Sequence, residues 1–270
     1  MPYVLFFLKA LWYTLGAVVI CGLAVSAFRK LFVSMMGGGF GRGVVLATSI
    51  IGTPVHEMGH ALMCLLFGHK ITDMALWQPA SRDGNLGYVS HAYHPRNLYH
   101  ILGNLFIGIG PIFSGLGVLA MALWVGFPDT FASYASTASS MAAAGEGGMP
   151  LLLEGLKILP RMVGEIGHSA VPVWGQIIAL LVIFSVAQHI SLSPADIKGA
   201  LTAIPLYLAI LLILTAVCGL LGQNAMDTVS AALALFSACL TALFTVVLVS
   251  ALIQLVIALP VWLIRKLMGR

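Results

Sequence analysis

Pro54-Val55-His56-Glu57-Met58-Gly59-His60 stands inside an otherwise apolar run from Val44 to Phe67. Residues four apart on a helix lie one above the other on the same face, so His56 and His60 can offer two imidazoles to one metal ion, with Glu57 about 100° around the axis. This is the H-E-x-x-H spacing of zinc hydrolases. Shuffling a chain of this composition would produce the spacing roughly 0.003 times, so chance is a poor account of it. A hydrogen-bonded cluster tying helices together is the plainer use of the same residues. Ionisable groups in a membrane, however, cost several kcal/mol and mark functional positions, and Glu57 is the one acidic residue well inside an apolar run.

Composition sets the surroundings of this stretch. The 270 residues are 60% hydrophobic and 8% charged, with mean hydropathy +1.03, against about 25% charged residues in a soluble domain. The chain is therefore expected to be a single integral membrane domain, residues 1–270, embedded in the lipid bilayer. Cys21, Cys64, Cys218 and Cys239 show no paired-thiol spacing and read as small apolar packing residues. The net charge of +4 is spread along the chain, without the dense basic run that nucleic-acid binding requires.

A membrane-crossing helix needs about 20 apolar residues, and six such spans are predicted: 10–28, 44–67, 98–127, 173–192, 200–221 and 229–259. The first is too long for the apolar core of a cleaved signal, despite the small residues Val25-Ser26-Ala27. An even count puts both termini on one side. Lys9, Lys70, Arg82, Arg96, Lys198, Arg265, Lys266 and Arg270 then outnumber Arg29, Lys30, Arg42, Lys157 and Arg161, which favours a cell-membrane protein with cytoplasmic termini.

The connectors carry their own expectations. Met36 to Gly43 is a glycine-rich turn lacking the Lys-Ser/Thr pair of a phosphate-binding loop. Between spans two and three, Ile71–Gln78 and Leu86–Tyr93 are rich in β-branched and aromatic residues and flank Ser81-Arg82-Asp83-Gly84-Asn85, the pattern of a β-hairpin. Such a hairpin either closes a loop or offers its open edge to an extended peptide. His91 and His94 fall here and read as solvated side chains. In span three, Gly103-Asn104, Gly108-Ile109-Gly110-Pro111 and Ser114-Gly115 permit close helix contact, and Asn104 is also a candidate substrate contact. Residues 129–172 are expected as a flexible Ser/Ala/Gly-rich loop (132–148) followed by an amphipathic segment. There Glu154, Lys157, Arg161 and Glu165 form the polar stripe and Pro160 the kink.

Two histidines leave catalytic zinc short of a third protein ligand. Candidates lie in Gln188-His189-Ile190-Ser191-Leu192-Ser193-Pro194-Ala195-Asp196. Asp196 also fits a helix start, with Ser193 as N-cap and Pro194 at the first position.

His56-Glu57-Met58-Gly59-His60, Gly110-Pro111 and Pro194-Ala195-Asp196 together resemble the site-2-protease type of intramembrane zinc metalloprotease, over roughly residues 44–200, the expected catalytic core. The family's Asn-Pro-Asp-Gly reads Ser193-Pro194-Ala195-Asp196 here, and Gly-Pro-x-x-Asn ends in Ser114. What the resemblance implies is an endopeptidase with one Zn2+ per chain, held by His56, His60 and Asp196, with His189 as the rival third ligand. Glu57 would be the catalytic base and a membrane protein or peptide segment the substrate. A metal transporter and a non-catalytic scaffold are the alternatives.

Overall fold

The computed structural model describes residues 2–78, 85–144 and 149–268. In chain order its elements are α1 (Pro2–Leu11), a π-helical turn (Trp12–Gly16), α2 (Ala17–Met36), α3 (Gly38–Leu66), β1 (Lys70–Ala75), β2 (Tyr88–Ala92) and α4 (Leu98–Gly126). There follow α5 (Pro128–Ala143), α6 (Met149–Leu156), α7 (Ile158–Glu165), α8 (Val173–His189), α9 (Pro194–Leu201), α10 (Ile204–Leu221) and α11 (Gln223–Leu267). The class is all-α with one antiparallel strand pair between the second and third long helices.

Among the described residues four helical stretches are long and apolar enough to cross a membrane: Pro2–Met36, Leu98–Gly126, Ile204–Leu221 and Gln223–Leu267. A fifth results if α8 and α9, bent by 61° at their junction, count as one. The expected span 44–67 coincides with α3 up to Leu66, and the 29 residues of α3 suffice in length, but its Thr, His and Glu residues make it less apolar than the other four. Helix α10 begins at Ile204 rather than 200, because Pro205 lacks an amide proton and fits the first turn of a helix.

α4 is the hub. Its Ile112, Leu116, Leu119 and Leu123 pack into one core with Ile183 and Val186 of α8 and Phe244 and Val247 of α11. Leu212, Ile213, Leu220 and Leu221 of α10 and Val256 and Ile257 of α11 instead face outward and exposed. An apolar surface of that extent suits lipid rather than water.

Residues 129–172 depart from the sequence expectation. The Ser/Ala-rich tract is helical as α5 up to Ala143, because Tyr134 and Ala138 are buried in the main core and the Tyr134 hydroxyl donates to Ala242 O of α11 at 2.7 Å. The rest of the tract, 145–148, lies outside the described residues. The polar stripe is also not uniformly outward. Glu154 is buried, holding Lys157 at 2.6 Å and Arg161 at 2.7 Å. Glu165 is buried too, and its carboxylate accepts the N–H groups of Asp129 and Thr130, capping α5.

Tyr3 of α1 packs at Gly219, near the end of α10, and α11 starts next to that point. At the far end, Arg265 of α11 donates to Ser34 O and Met35 O, at the end of α2, at 3.4 and 3.3 Å. The beginning and end of the described chain thus lie at opposite ends of the Pro2–Met36 helix. The cause is α11, whose 45 residues run about 67 Å at 1.5 Å per residue, alongside α1 and α2 in the same direction.

Candidate metal centre

The site begins with a helix crossing. Gly59 of α3 and Gly110 of α4 meet so closely that a Cβ on either would fall 2.5–2.6 Å from the other's carbonyl oxygen. Small residues at this crossing let the two backbones touch. Ser114 Oγ adds a hydrogen bond to Val55 O at 2.7 Å.

This approach fixes both histidines. His60 Nδ1 lies 2.7 Å from Ile107 O of α4, and His56 Nδ1 lies 2.7 Å from His189 O at the end of α8. Carbonyl oxygens only accept, so each Nδ1 carries the proton and each Nε2 lone pair is free. That is the arrangement in which outer-shell partners orient metal-binding imidazoles. The ring centroids are 5.0 Å apart.

The third group arrives from the broken junction between α8 and α9. Ser193 is the N-cap of α9, its Oγ accepting from Asp196 N–H at 3.2 Å, while Asp196 Oδ2 accepts from Ser193 N–H at 2.6 Å. The capping box does not compete with metal binding but aims the carboxylate. Asp196 Oδ1 lies 3.2 Å from His60 Nε2, and Oδ2 lies 3.6 Å from His56 Nε2. Ligand atoms of all three residues fall within 4.8 Å of one another. Tetrahedral zinc with bonds of about 2.0–2.2 Å requires ligand atoms roughly 3.3–3.6 Å apart, so the donor set suits Zn2+ and the two carboxylate–imidazole distances are close to that spacing. α9 reaches this depth because α4 presents Gly108, where a Cβ would lie 2.6 Å from Asp196 O and 2.7 Å from Ala200 Cβ.

Glu57 is buried beside this group, against the hairpin. β1 and β2 are antiparallel, pairing Lys70 with Ala92 and Ala75 with Tyr88, with an irregularity between Ile71 and Asp73. The expected strands are thus present, whereas turn residues Ser81 to Gly84 lie outside the described residues. Trp77 Nε1–H donates to Ser49 Oγ at 2.8 Å, docking the hairpin on α3. At Gly87 the fit is close, a Cβ there meeting Thr53 Cγ2 at 2.7 Å and Glu57 Cγ at 2.8 Å. His56, Glu57, His60 and Asp196 all line one cavity of about 1150 Å³, walled by the hairpin, α2, α3, α4 and the α8–α9 junction. Its α2 wall, including Arg29, lies outside the expected core of residues 44–200.

His189 is buried with its ring between threonines, Nε2 at 3.1 Å from Thr48 Oγ1 and Nδ1 at 3.5 Å from Thr53 Oγ1. The structure brings it to the site through its carbonyl, not its ring. Asn104 lines the cavity but donates from Nδ2 to Thr202 Oγ1 at 3.1 Å, tying α4 to the end of α9. The loop histidine His91 is not simply solvated. His69 Nε2–H donates to His100 O at 2.8 Å, which leaves His69 Nδ1 to accept from His91 Nδ1–H at 3.0 Å. Burial holds both imidazoles below the ordinary histidine value, and His91 is lowered further by the neighbouring His69 and His60 rings. His91 lines the cavity, a placement that no local sequence pattern announces.

No protein-family model, curated protein or solved structure matches this chain.

Proposed function

We propose that the chain is an intramembrane zinc endopeptidase, cutting a peptide bond in or beside a transmembrane segment of another protein. The observation that carries this is the convergence of His56 Nε2 and His60 Nε2 of α3 with Asp196 of α9, both Nδ1–H groups being anchored to carbonyls. Two His and one carboxylate form an attested catalytic zinc set that leaves a coordination position open. When bound, Zn2+ supplies a Lewis acid that lowers the pKa of water and polarises a carbonyl. Glu57, one residue from His56 and facing the same cavity, takes the attacking water's proton and passes it to the leaving amine. A substrate segment unwound to an extended form can pair with the open edge of β2, whose Tyr88 and Val89 line the cavity. Helical peptide carbonyls are otherwise engaged, so unwinding must precede attack.

Gln254, the polar residue that a transport route through the last helix would use, is engaged with Gln188, Ser250 and Phe184 O. That favours hydrolysis over passage of ions. The test is zinc per polypeptide and cleavage of co-expressed membrane proteins, native against Glu57→Gln. One zinc retained with cleavage lost is expected. Cleavage retained in Glu57→Gln removes Glu57 as the base, and a folded, metal-exchanged native chain without zinc removes the proposal.

A further inference from the structure

Arg29 stands in the Pro2–Met36 helix, where an unpaired guanidinium is costly in an apolar setting. Its side chain crosses to the α8–α9 junction, Nη1–H donating to Ser191 Oγ at 2.9 Å. A guanidinium carries five donors, and a hydroxyl satisfies one. Among the described residues Arg29 makes no ion pair. It lines the same cavity as His56, Glu57 and Asp196. Ser191 lies two residues from His189, whose carbonyl holds His56, so Arg29 sits on the His56 side of the metal ligands.

Charge in the cavity points the same way. Among the described residues, Arg29 and Lys30 of α2 line it together with Glu57 and Asp196, and no other charged residue apart from histidine does. A bound divalent cation tips this balance to net positive, so the cavity attracts anions. The planar fork of Arg matches a carboxylate, with which it forms two parallel hydrogen bonds.

The geometry points to a carboxylate-binding subsite at Arg29, which selects polypeptide substrates bearing an acidic group on the His56 side of the scissile bond. The inference rests on the proposed peptidase and names its substrate class. The carboxylate is either an Asp or Glu side chain or a free C-terminus, and the test separates the two.

Binding is measured on full-length, zinc-loaded Glu57→Gln protein in detergent, so that it is independent of cleavage. The probes are fluorescent apolar 20-residue peptides carrying one Asp at successive positions, matched Asn peptides, and free or amidated C-termini. An Asp peptide at one position, or the free C-terminus, is expected to bind on the order of tenfold more tightly than its neutral match. Arg29→Gln should abolish that preference and Arg29→Lys, which keeps the charge but not the fork, should reduce it several-fold. Both variants are scored only with native zinc content and melting temperature, and Lys30→Gln serves as the neighbouring-charge control. Equal binding of acidic and neutral peptides, absence of binding by folded protein, or a preference that survives Arg29→Gln overturns the subsite. A preference lost in Arg29→Gln, with no peptide cleaved by the native chain, keeps the subsite and refutes the peptidase.

Discussion

Gly108→Ala places one methyl group between α4 and the helix that carries Asp196. Built on the existing backbone, it lies 2.6 Å from Asp196 O and 2.7 Å from Ala200 Cβ. Neither is the flexible end of a side chain, so α9 must move. Reaching ordinary contact near 3.4 Å requires a retreat of about 0.8 Å. The carboxylate is tied to α9 by its capping box and travels with it. Metal-ligand distances tolerate about 0.2 Å, so zinc affinity should fall by about 10–100-fold, the range seen on losing an outer-shell partner. Overpacking costs about 1–3 kcal/mol, partly offset by roughly 1 kcal/mol of helix propensity gained on replacing glycine. The melting temperature of the metal-free protein should therefore change little while zinc binding weakens sharply. Gly43→Ala, with nothing within 4 Å of its Cβ, gains the propensity alone and should keep native zinc affinity. The assay is competition for zinc against a chromogenic chelator, with melting curves on the same samples. Native zinc affinity in Gly108→Ala would refute the idea that α4–α9 packing sets the third ligand.

Asp196→Asn keeps an oxygen able to cap α9 but loses the charge; zinc content should drop to near zero while the metal-free melting curve stays close to native. His189→Ala removes a ring that serves Thr48 and Thr53 but keeps the carbonyl that serves His56. One zinc per chain should remain, with stability lower by about 2–4 kcal/mol for the lost packing and hydrogen bonds, and loss of zinc in folded protein would instead make the ring a ligand. The His69–His91 pair gives a pH dependence of defined sign. Both are held below the ordinary histidine value, so the unfolded chain binds protons more readily. Their contribution is complete above about pH 6.5 and is lost as pH falls below it. Melting temperatures between pH 8 and 5 should decline less steeply in His69→Gln/His91→Gln than in the native chain; identical slopes refute the assignment.

The readable parts of the site share a local origin. His56 and His60 are one helical turn apart, so their common face follows from spacing alone. Asp196 was legible as a helix start because Ser193 and Pro194 precede it, and the structure uses that same cap to aim the carboxylate. The hairpin followed from two β-branched runs around a turn. What escaped depends on contacts distant in sequence. Nothing in Ser-Ala-rich 132–143 announces a helix, which forms because Tyr134 and Ala138 meet α11. Glu154 and Glu165 match an exposed stripe in period but are drawn inward by Arg161 and by the start of α5. Arg29 counted as a loop charge, since no local pattern says that its side chain reaches Ser191.

The three candidate ligands stand at positions 56, 60 and 196, and this separation orders events during synthesis. At about 5–20 residues per second, Asp196 is made roughly 7–27 s after His60. In that interval α3 and α4 can already meet at Gly59 and Gly110, leaving a site with two imidazoles and no carboxylate. If the three residues hold zinc as proposed, a chain still being inserted would hold it weakly, with one ligand missing. On the proposed reading, hydrolytic competence would begin only when α9 has turned back into the bundle and brought Asp196 to the two imidazoles.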